Sequence, residues 1–292
     1  MPGLTEELPI TFGGGAGDLV GVLHRPSPAP RVGVVVVVGG PQYRVGSHRQ
    51  FVLLARELAA HGIAALRFDC TGMGDSDGEF PGFERIESDI AAAVGALVTQ
   101  VPSVERIVLW GLCDAASAIA FSAHSDPRIA GVVLLNPWVR TEAGAARAYL
   151  KHYYLQRLVD PTFLHKVARG QFDAPGALRS LASMSARAIG IRSDGGKPEV
   201  GEAVPSGDLA ERMAIGLQNY RGPVLLIISG RDLTAKEFVD AARGSKRWRR
   251  LFQQLRILQR DLPEADHTFS RRTWRDQIAA WTLDWMKDRI AR

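Results

Sequence analysis

IVLWGLCDAASAIA, residues 107–120, predicts an apolar strand, a sharp turn and a helix of small residues. Gly111 and Ala115 lie two positions before and after Cys113, and such small residues let a strand and a helix approach closely. This is the arrangement of a nucleophile elbow, a strained turn that presents a reactive side chain at the carboxyl end of a strand. At the start of a helix, the dipole and free N–H groups favour a thiolate at Cys113. The alternative is a buried structural cysteine, because free cysteine is among the most buried residue types.

The segments on either side of this stretch alternate strands with amphipathic helices. Residues 32–38, VGVVVVV, are typical of a strand buried on both faces. Residues 49–62 and 84–101 carry apolar residues at helical spacing, and 63–68 and 129–136 are again strand-like. This alternation predicts an α/β fold with a mostly parallel sheet and right-handed crossovers. Counting an antiparallel N-terminal pair, the sheet has about eight strands flanked by helices.

The alternation breaks between about Pro137 and Pro205. This stretch is rich in aromatic residues and ends in the loop-like SDGGKPEVGEAVPSGD. We interpret 137–205 as an inserted helical cap, with 1–136 and 206–292 forming the core domain. The candidate substrate-pocket residues are Tyr43 and three aromatics of the cap, Trp138, Tyr149 and Tyr153. The cap aromatics have an alternative role as the cap's own core.

Two further residues complete a candidate catalytic set. Asp232, in IISGRDLT, comes just after a buried strand, and His267, in LPEADHTFS, lies between the last strand and the last helix. The order nucleophile, acid, histidine is the order that this architecture requires. The alternative acid position, one strand earlier, holds Asn136-Pro137 and no carboxylate. We therefore predict a Cys113-His267-Asp232 triad in preference to a structural cysteine.

The other histidines are weaker candidates for the base. His24, His61 and His124 lie in a predicted strand or near helix ends, where a structural role is expected. His152 and His165 lie in the predicted cap and are alternative substrate contacts.

One segment matches the letters of a serine nucleophile motif. Gly74-Asp75-Ser76-Asp77-Gly78 fits G-x-S-x-G, but no helix of small residues follows it. Since the motif counts only between a strand and a helix, we predict a shaped loop in which aspartates bond local backbone N–H groups. Cys70, in the same loop, is interpreted as structural.

The composition of the chain excludes several other classes of protein. The chain has 292 residues, 46% hydrophobic and 23% charged, which is ordinary for a soluble globular protein. Its two cysteines form no disulfide framework or zinc pattern, so we expect no metal and no cofactor. No apolar run approaches the ~20 residues of a membrane span. The N-terminus lacks a signal-peptide pattern, so we predict a cytoplasmic protein.

Basic residues outnumber acidic ones only modestly, 36 to 31, and no nucleic-acid partner is expected. One basic cluster surrounds Trp248, namely Arg243, Lys246, Arg247, Arg249 and Arg250. It is either a solvated helix face or a docking patch for an anionic substrate or acidic partner. The expected state of assembly is a monomer or a homodimer.

These residues resemble the α/β-hydrolase superfamily over nearly the whole chain. Within it, several segments are similar to the type 1 exosortase A system-associated hydrolases: VVVGGPQYRVGSHRQF, LRFDCTGMGDSDGE, GLCDAAS, SGRD and ADHTF. The resemblance implies a hydrolase of unsettled substrate, found alongside bacterial exopolysaccharide and protein-sorting functions.

The chain departs from the superfamily pattern in two places. A cysteine replaces the usual serine nucleophile, as it does in dienelactone hydrolases. Gly39-Gly40 replaces the usual His-Gly, and the following Pro41 has no N–H to donate. The expected oxyanion donors are therefore the backbone N–H groups of Gln42 and Asp114. The Asp114 carboxylate opposes thiolate formation unless it points away or pairs.

The predicted activity is acyl hydrolysis of an ester, thioester or lactone through a thioester acyl-enzyme. The substrate is expected to be a small acyl compound, alone or bound to a carrier. Two alternatives remain open. One is acyl transfer to an amine or alcohol, since amines attack thioesters readily. The other is a catalytically inactive binding module that uses the same pocket.

Overall fold

The computed structural model of the chain describes residues 5–39, 42–139 and 209–290. The strands are β1 Thr5–Gly13, β2 Asp18–Pro26, β3 Val32–Val37, β4 Ala64–Phe68, β5 Arg106–Leu112, β6 Ile129–Leu135, β7 Val224–Ser229 and β8 Ile257–Leu262. The helices are α1 Gln50–Ala60, α2 Glu87–Gln100, α3 Asp114–Ser122, α4 Leu209–Asn219, α5 Leu233–Gly244, α6 Lys246–Phe252 and α7 Arg272–Arg289. Short 3-10 turns occur at Ser47–Arg49, Phe83–Arg85 and Ala123–Ser125.

The strands form one eight-stranded sheet in the order β1-β2-β4-β3-β5-β6-β7-β8. β1, β2 and β4 pair antiparallel, whereas β3 to β8 all run parallel to one another. The α/β fold with a mostly parallel, eight-stranded sheet flanked by helices is therefore confirmed.

Helices cover both faces of the central strands, which is why β3 is a continuous apolar run. Val34 and Val36 are fully buried in a cluster with Phe51 of α1. On the other face α2 lies so close that a Cβ at Gly33 would come within 2.7 Å of Leu97 Cδ2. A strand buried on both faces has no position for a polar residue.

The chain divides into two compact units, Met1–Trp138 with Ala210–Arg292, and Val139–Leu209. Apart from its first residues, the predicted cap over 137–205 lies outside the described residues. The same holds for Tyr149 and Tyr153, and for His152 and His165.

The parallel strands β5, β6, β7 and β8 end at Leu112, Leu135, Ser229 and Leu262. Parallel strands present their carboxyl ends at one edge of a sheet, where α/β proteins usually bind their ligands. The segments that follow these strands therefore share one edge. They carry Cys113, Asn136, Asp232 and His267.

Candidate active site

Cys113 occupies a strained turn between β5 and α3. Its φ of 64° and ψ of −126° are values that non-glycine residues rarely adopt. The Cys113 N–H donates to Leu135 O at 2.9 Å, and its carbonyl accepts from Trp138 N at 3.2 Å. Ser117 Oγ donates to Trp138 O at 2.7 Å. Hydrogen bonds therefore link the strained turn to Leu135 of β6 and to Trp138 in the segment after β6. Ser117 of α3 also bonds to Trp138.

The small residues around Cys113 are required by close packing. A Cβ at Gly111 would lie 2.7 Å from Ile119 Cδ1 and 3.0 Å from the Ala115 carbonyl carbon. Real Cβ atoms do not approach that closely, so a larger residue at Gly111 would push α3 away from β5. The geometry agrees with the elbow expected from the sequence.

His267 and Asp232 are in contact. His267 Nδ1 lies 2.7 Å from Asp232 Oδ2. The aspartate also forms the N-cap of α5, because Oδ1 accepts from Thr234 N at 3.0 Å and Oδ2 from Ala235 N at 3.1 Å. Hydrogen bonds from backbone N–H groups at a helix N-terminus fix the orientation of this side chain. Asp232 can therefore hold the imidazole ring in one position.

The pKa of His267 is raised to about 10. Burial by itself disfavours the imidazolium and lowers this pKa, but the hydrogen bonds to Asp232 and Cys113 outweigh burial. Since Nδ1 is occupied by Asp232, Nε2 is the ring nitrogen left for the Cys113 sulfur. The raised pKa favours the protonated imidazole at His267.

Asn136 is a residue of this site that the sequence reasoning missed. It is fully buried, with a φ of 42°. Its Nδ2 donates to the His267 carbonyl at 3.0 Å, and its Oδ1 accepts from Ser229 N at 2.8 Å. One amide thus ties the end of β7 to the histidine loop. The only signal in the sequence is its place directly after β6, at the alternative position for the acid.

The segment after β3 carries the other predicted site residues, and an ion pair anchors it. Asp69 Oδ1 accepts from Arg44 N at 2.6 Å, and the Arg44 guanidinium bonds both Asp69 and, at 2.6 Å, Asp75. Gln42 lies two residues before Arg44, and its Oε1 accepts from Ser47 N at 3.4 Å. Tyr43 is 50% exposed. The sequence predicts that these aspartates bond local backbone N–H groups. It does not predict the ion pairs that both of them form with Arg44.

The Asp114 side chain lies next to Gly39. Its Oδ1 accepts from Ala115 N at 2.9 Å, and a Cβ at Gly39 would lie only 2.0 Å from the same oxygen. A histidine, the usual superfamily residue at this position, would therefore collide with Asp114. The departure at Gly39 therefore makes room for the Asp114 carboxylate.

Ser76 and Cys70 both have structural partners. Ser76 Oγ accepts from Val20 N at 2.9 Å and donates to Asp69 O at 2.8 Å. Cys70 is fully buried, its Sγ donates to Val38 O at 3.3 Å, and burial raises the pKa of its thiol. Both features agree with the structural roles expected from the sequence.

Two of the five basic side chains of the cluster, Arg247 and Arg249, bond to other groups of the chain. Trp248 is 1% exposed, and its Nε1 donates to Ala210 O at 2.7 Å. Arg247 pairs with Glu211 at 2.6 Å, and Arg249 donates to Arg243 O at 2.7 Å. These contacts favour the solvated-face interpretation over the docking patch.

The part of the chain that the structure describes contains neither a metal-binding cluster nor a membrane-spanning helix. No group of three or more His, Cys, Asp or Glu side chains there has metal-binding geometry. Nor is any helix of the described residues long and apolar enough to cross a membrane.

The fold and the site together define an α/β-hydrolase. The chain belongs to the Hydrolase_4 family, described as serine aminopeptidase, S33, whose pattern matches residues 29–256. This confirms the superfamily and the enzyme class expected from the sequence. The family's description refers to serine, whereas the elbow position here holds Cys113.

Solved structures share the fold at low identity. An esterase from Pyrococcus furiosus is 16% identical with a TM-score of 0.64, over 98% of this chain and 92% of that one. Est1E from Butyrivibrio proteoclasticus, solved with ferulic acid, is 16% identical with a TM-score of 0.63, over 97% and 100%. A Xanthomonas campestris serine hydrolase without a lid is 15% identical with a TM-score of 0.57, over 98% and 97%. No curated protein matches the chain.

Proposed function

We propose that this α/β-hydrolase cleaves an acyl ester, thioester or lactone through a covalent thioester on Cys113. The observation that carries the proposal is the hydrogen-bonded order Asp232, His267, Cys113 at the carboxyl edge of the sheet. The names of the structural neighbours, esterases among them, point to the same class of reaction. We also propose that the protein is related to the exosortase-associated hydrolases and that it is cytoplasmic.

The first half of the cycle forms the acyl-enzyme. The Cys113 thiolate attacks the acyl carbonyl carbon, and the carbonyl electrons move to oxygen. Backbone N–H groups of Gln42 and Asp114 are the proposed donors to that oxyanion, and each such donor contributes roughly 3–4 kcal/mol. His267 Nε2 then gives its proton to the leaving alcohol or thiol as the carbon–heteroatom bond breaks.

The second half releases the acyl group. Neutral His267 removes a proton from water, and the resulting hydroxide attacks the thioester carbonyl carbon. The carbon–sulfur bond breaks, the carboxylic acid leaves and the thiolate is restored. Asp232 stabilises the imidazolium in both halves through its bond to Nδ1.

Acyl transfer is the second candidate function, and the cysteine at the elbow favours it. A thioester intermediate reacts with amines more readily than an oxygen ester does. Such an enzyme would pass the acyl group from Cys113 to an amine or alcohol in place of water. An inactive binding module would need no raised pKa at His267, which makes that alternative weaker.

The test is turnover of a panel of acyl thioesters, oxygen esters and lactones, with and without a primary amine acceptor. We expect at least one class to turn over with the unaltered protein and not with Cys113→Ala. Free acid as the product in the presence of amine supports hydrolysis, and an amide supports transfer. Equal rates with the unaltered protein and Cys113→Ala would contradict both.

A further inference from the structure

The proposed oxyanion donor Gln42 lies in a segment, residues 42–46, that is neither strand nor helix. Within this segment the Gly46 N–H donates to Tyr43 O at 2.9 Å, which closes a turn without tying it to the sheet. The Tyr43 side chain is 50% exposed. Among the described residues, the first after Gln42 that hydrogen-bonds to the sheet is Arg44. Arg44 is therefore the anchor of the segment on the carboxyl side of Gln42.

Both backbone polar groups of Arg44 are bonded to β4 or to the turn that follows it. The Arg44 carbonyl accepts from Arg67 Nη1 at 3.2 Å, and the Arg44 N–H donates to Asp69 Oδ1 at 2.6 Å. The Arg44 guanidinium also pairs with Asp69 and, at 2.6 Å, with Asp75. Gln42 precedes Arg44 by only two positions, and each residue has only two soft backbone dihedrals. The two backbone bonds of Arg44 therefore restrict the orientation of the Gln42 N–H.

Arg67 is buried in the sheet, where a charged side chain is rare. It is 5% exposed, and both of its acceptors among the described residues are neutral groups: Arg44 O and, at 2.9 Å, His24 Nε2. His24 is fully buried, and burial lowers the pKa of His24 to about 4, so its ring is neutral above that pH and can accept. Burial of a guanidinium costs free energy, and what this one gains is a charged hydrogen bond to the carbonyl of a loop.

We propose that Arg67, together with Asp69, is a positioning residue for the oxyanion hole. Both side chains act through the backbone of Arg44 and thereby hold the Gln42 N–H at the oxygen that becomes negative. Such a donor is effective only at hydrogen-bond distance from that oxygen, and a displacement of about 1 Å costs on the order of 10²-fold in rate. This inference rests on the proposed function, since it requires an oxyanion formed by the attack of Cys113.

The experiment compares two reactions of Cys113 that differ in their need for an oxyanion hole. p-Nitrophenyl acetate is attacked at its carbonyl carbon, the carbonyl oxygen becomes an oxyanion, and p-nitrophenolate leaves. Iodoacetamide is attacked at a saturated carbon and iodide leaves, so that no oxyanion forms although the same thiolate is required. The first rate is measured as the burst of p-nitrophenolate, and the second as alkylation of the Cys113 peptide by mass spectrometry. The two rates together separate the oxyanion hole from the nucleophile.

Arg67→Met should slow acetylation by on the order of 10²-fold and change the rate of alkylation by less than about threefold. Asp69→Asn is nearly isosteric and removes an acceptor for the Arg44 guanidinium, so it should slow acetylation alone, by at least about tenfold. The matched control is Asp89→Ala, because Asp89 is 2% exposed and bonds to Thr71 N at 2.8 Å rather than to the segment 42–46. Both rates of this control should stay within about threefold of those of the unaltered protein.

Circular dichroism shows which variants are folded, and Asp69→Asn is sufficient by itself if Arg67→Met does not fold. The proposal is overturned if the folded variants of Arg67 and Asp69 are acetylated at the normal rate. It is also overturned if acetylation and alkylation fall by the same factor, or if Asp89→Ala slows acetylation alone. Absence of acetylation at Cys113 in the unaltered protein would refute the proposed function itself, and that failure is seen without any variant.

Discussion

Two turns of this molecule follow β4 and β5, parallel strands that lie on either side of β3, and only one turn has the geometry of a nucleophile elbow. The turn after β4 contains Ser76 in the letters G-x-S-x-G, and the turn after β5 contains Cys113 in Gly-Leu-Cys-Asp-Ala. Cys113 is partly exposed, has a φ of 64° and directly precedes a helix. Ser76 lies in a loop with no helix directly after it.

The contacts of the Ser76 and Cys113 side chains also favour Cys113 as the reactive residue. Ser76 Oγ uses both its donor and its acceptor capacity on backbone groups, joining β2 to the loop. The Cys113 sulfur instead has the His267 ring as its partner. A hydroxyl that is bonded to backbone at 2.8 and 2.9 Å cannot attack a substrate without breaking the loop. Backbone strain and a basic partner therefore favour Cys113 over Ser76 as the proposed nucleophile, although Ser76 has the motif letters.

The largest effect expected from this comparison is that of Cys113→Ala. Removing the nucleophile of a triad lowers turnover by on the order of 10⁶-fold, because the members act as a unit. The measurement is kcat on the best substrate of the panel, with circular dichroism to show that the variant is folded. Turnover within tenfold of the unaltered protein would assign the chemistry to another residue.

Asp232→Asn should lower kcat by about 10⁴-fold and change the pH dependence. Although burial lowers the pKa of His267, its bonds to Asp232 and Cys113 raise it to about 10. The alkaline limb of kcat/KM is therefore expected near pH 10, and it should move towards neutral pH in Asp232→Asn. A limb at the same pH in both proteins would contradict the pairing.

The raised pKa of His267 also predicts how the free energy of unfolding changes with pH. A raised pKa stabilises the fold fully below the unfolded value of about 6.5, and that stability is lost as pH rises through about 10. The free energy of unfolding should therefore fall more steeply from pH 7 to 10 in the unaltered protein than in Asp232→Asn. Urea titrations across that range measure it, and parallel curves would argue against the raised pKa.

Asn136→Ala should have an intermediate effect. Loss of the amide frees the His267 loop from β7, and misplacement of a catalytic group by about 1 Å costs on the order of 10²-fold. We expect kcat to fall by that amount with a nearly unchanged KM, and Asn136→Gln not to restore it, because its longer side chain does not fit the buried position. An unchanged kcat in a folded Asn136→Ala protein would make the residue purely structural.

Ser76→Ala should have the smallest effect on activity. Two backbone groups lose their partner, which costs about 1–3 kcal/mol for each group left unsatisfied. The variant should unfold at lower denaturant but turn over substrate within about twofold of the unaltered protein. A loss of turnover as large as that of Cys113→Ala, in a folded protein, would reverse the comparison.

Much of the site follows from local sequence. The elbow depends on Gly111 and Ala115, the acid follows a buried strand, and the histidine precedes the last helix. These are short-range patterns with a mechanical reason, and the parallel sheet brings them to one edge.

The rest depends on contacts between distant residues. Asn136 bonds a carbonyl 131 positions away, and Arg44 joins two aspartates of another loop. Trp248 is at the centre of the basic cluster and yet 1% exposed, because α4 supplies the acceptor for its N–H. None of these pairings produces a periodic pattern in the sequence, because the partners are brought together only in the folded chain.

The assignment of Cys113 as the nucleophile is tested most directly by mapping the acyl-enzyme. The unaltered protein is mixed with p-nitrophenyl acetate, quenched in acid, digested and sequenced by mass spectrometry, with and without neutral hydroxylamine. We expect an acetyl group on the peptide that contains Cys113, removed by hydroxylamine as a thioester should be. An acetyl group on Ser76, or turnover with no adduct on Cys113, would contradict this assignment.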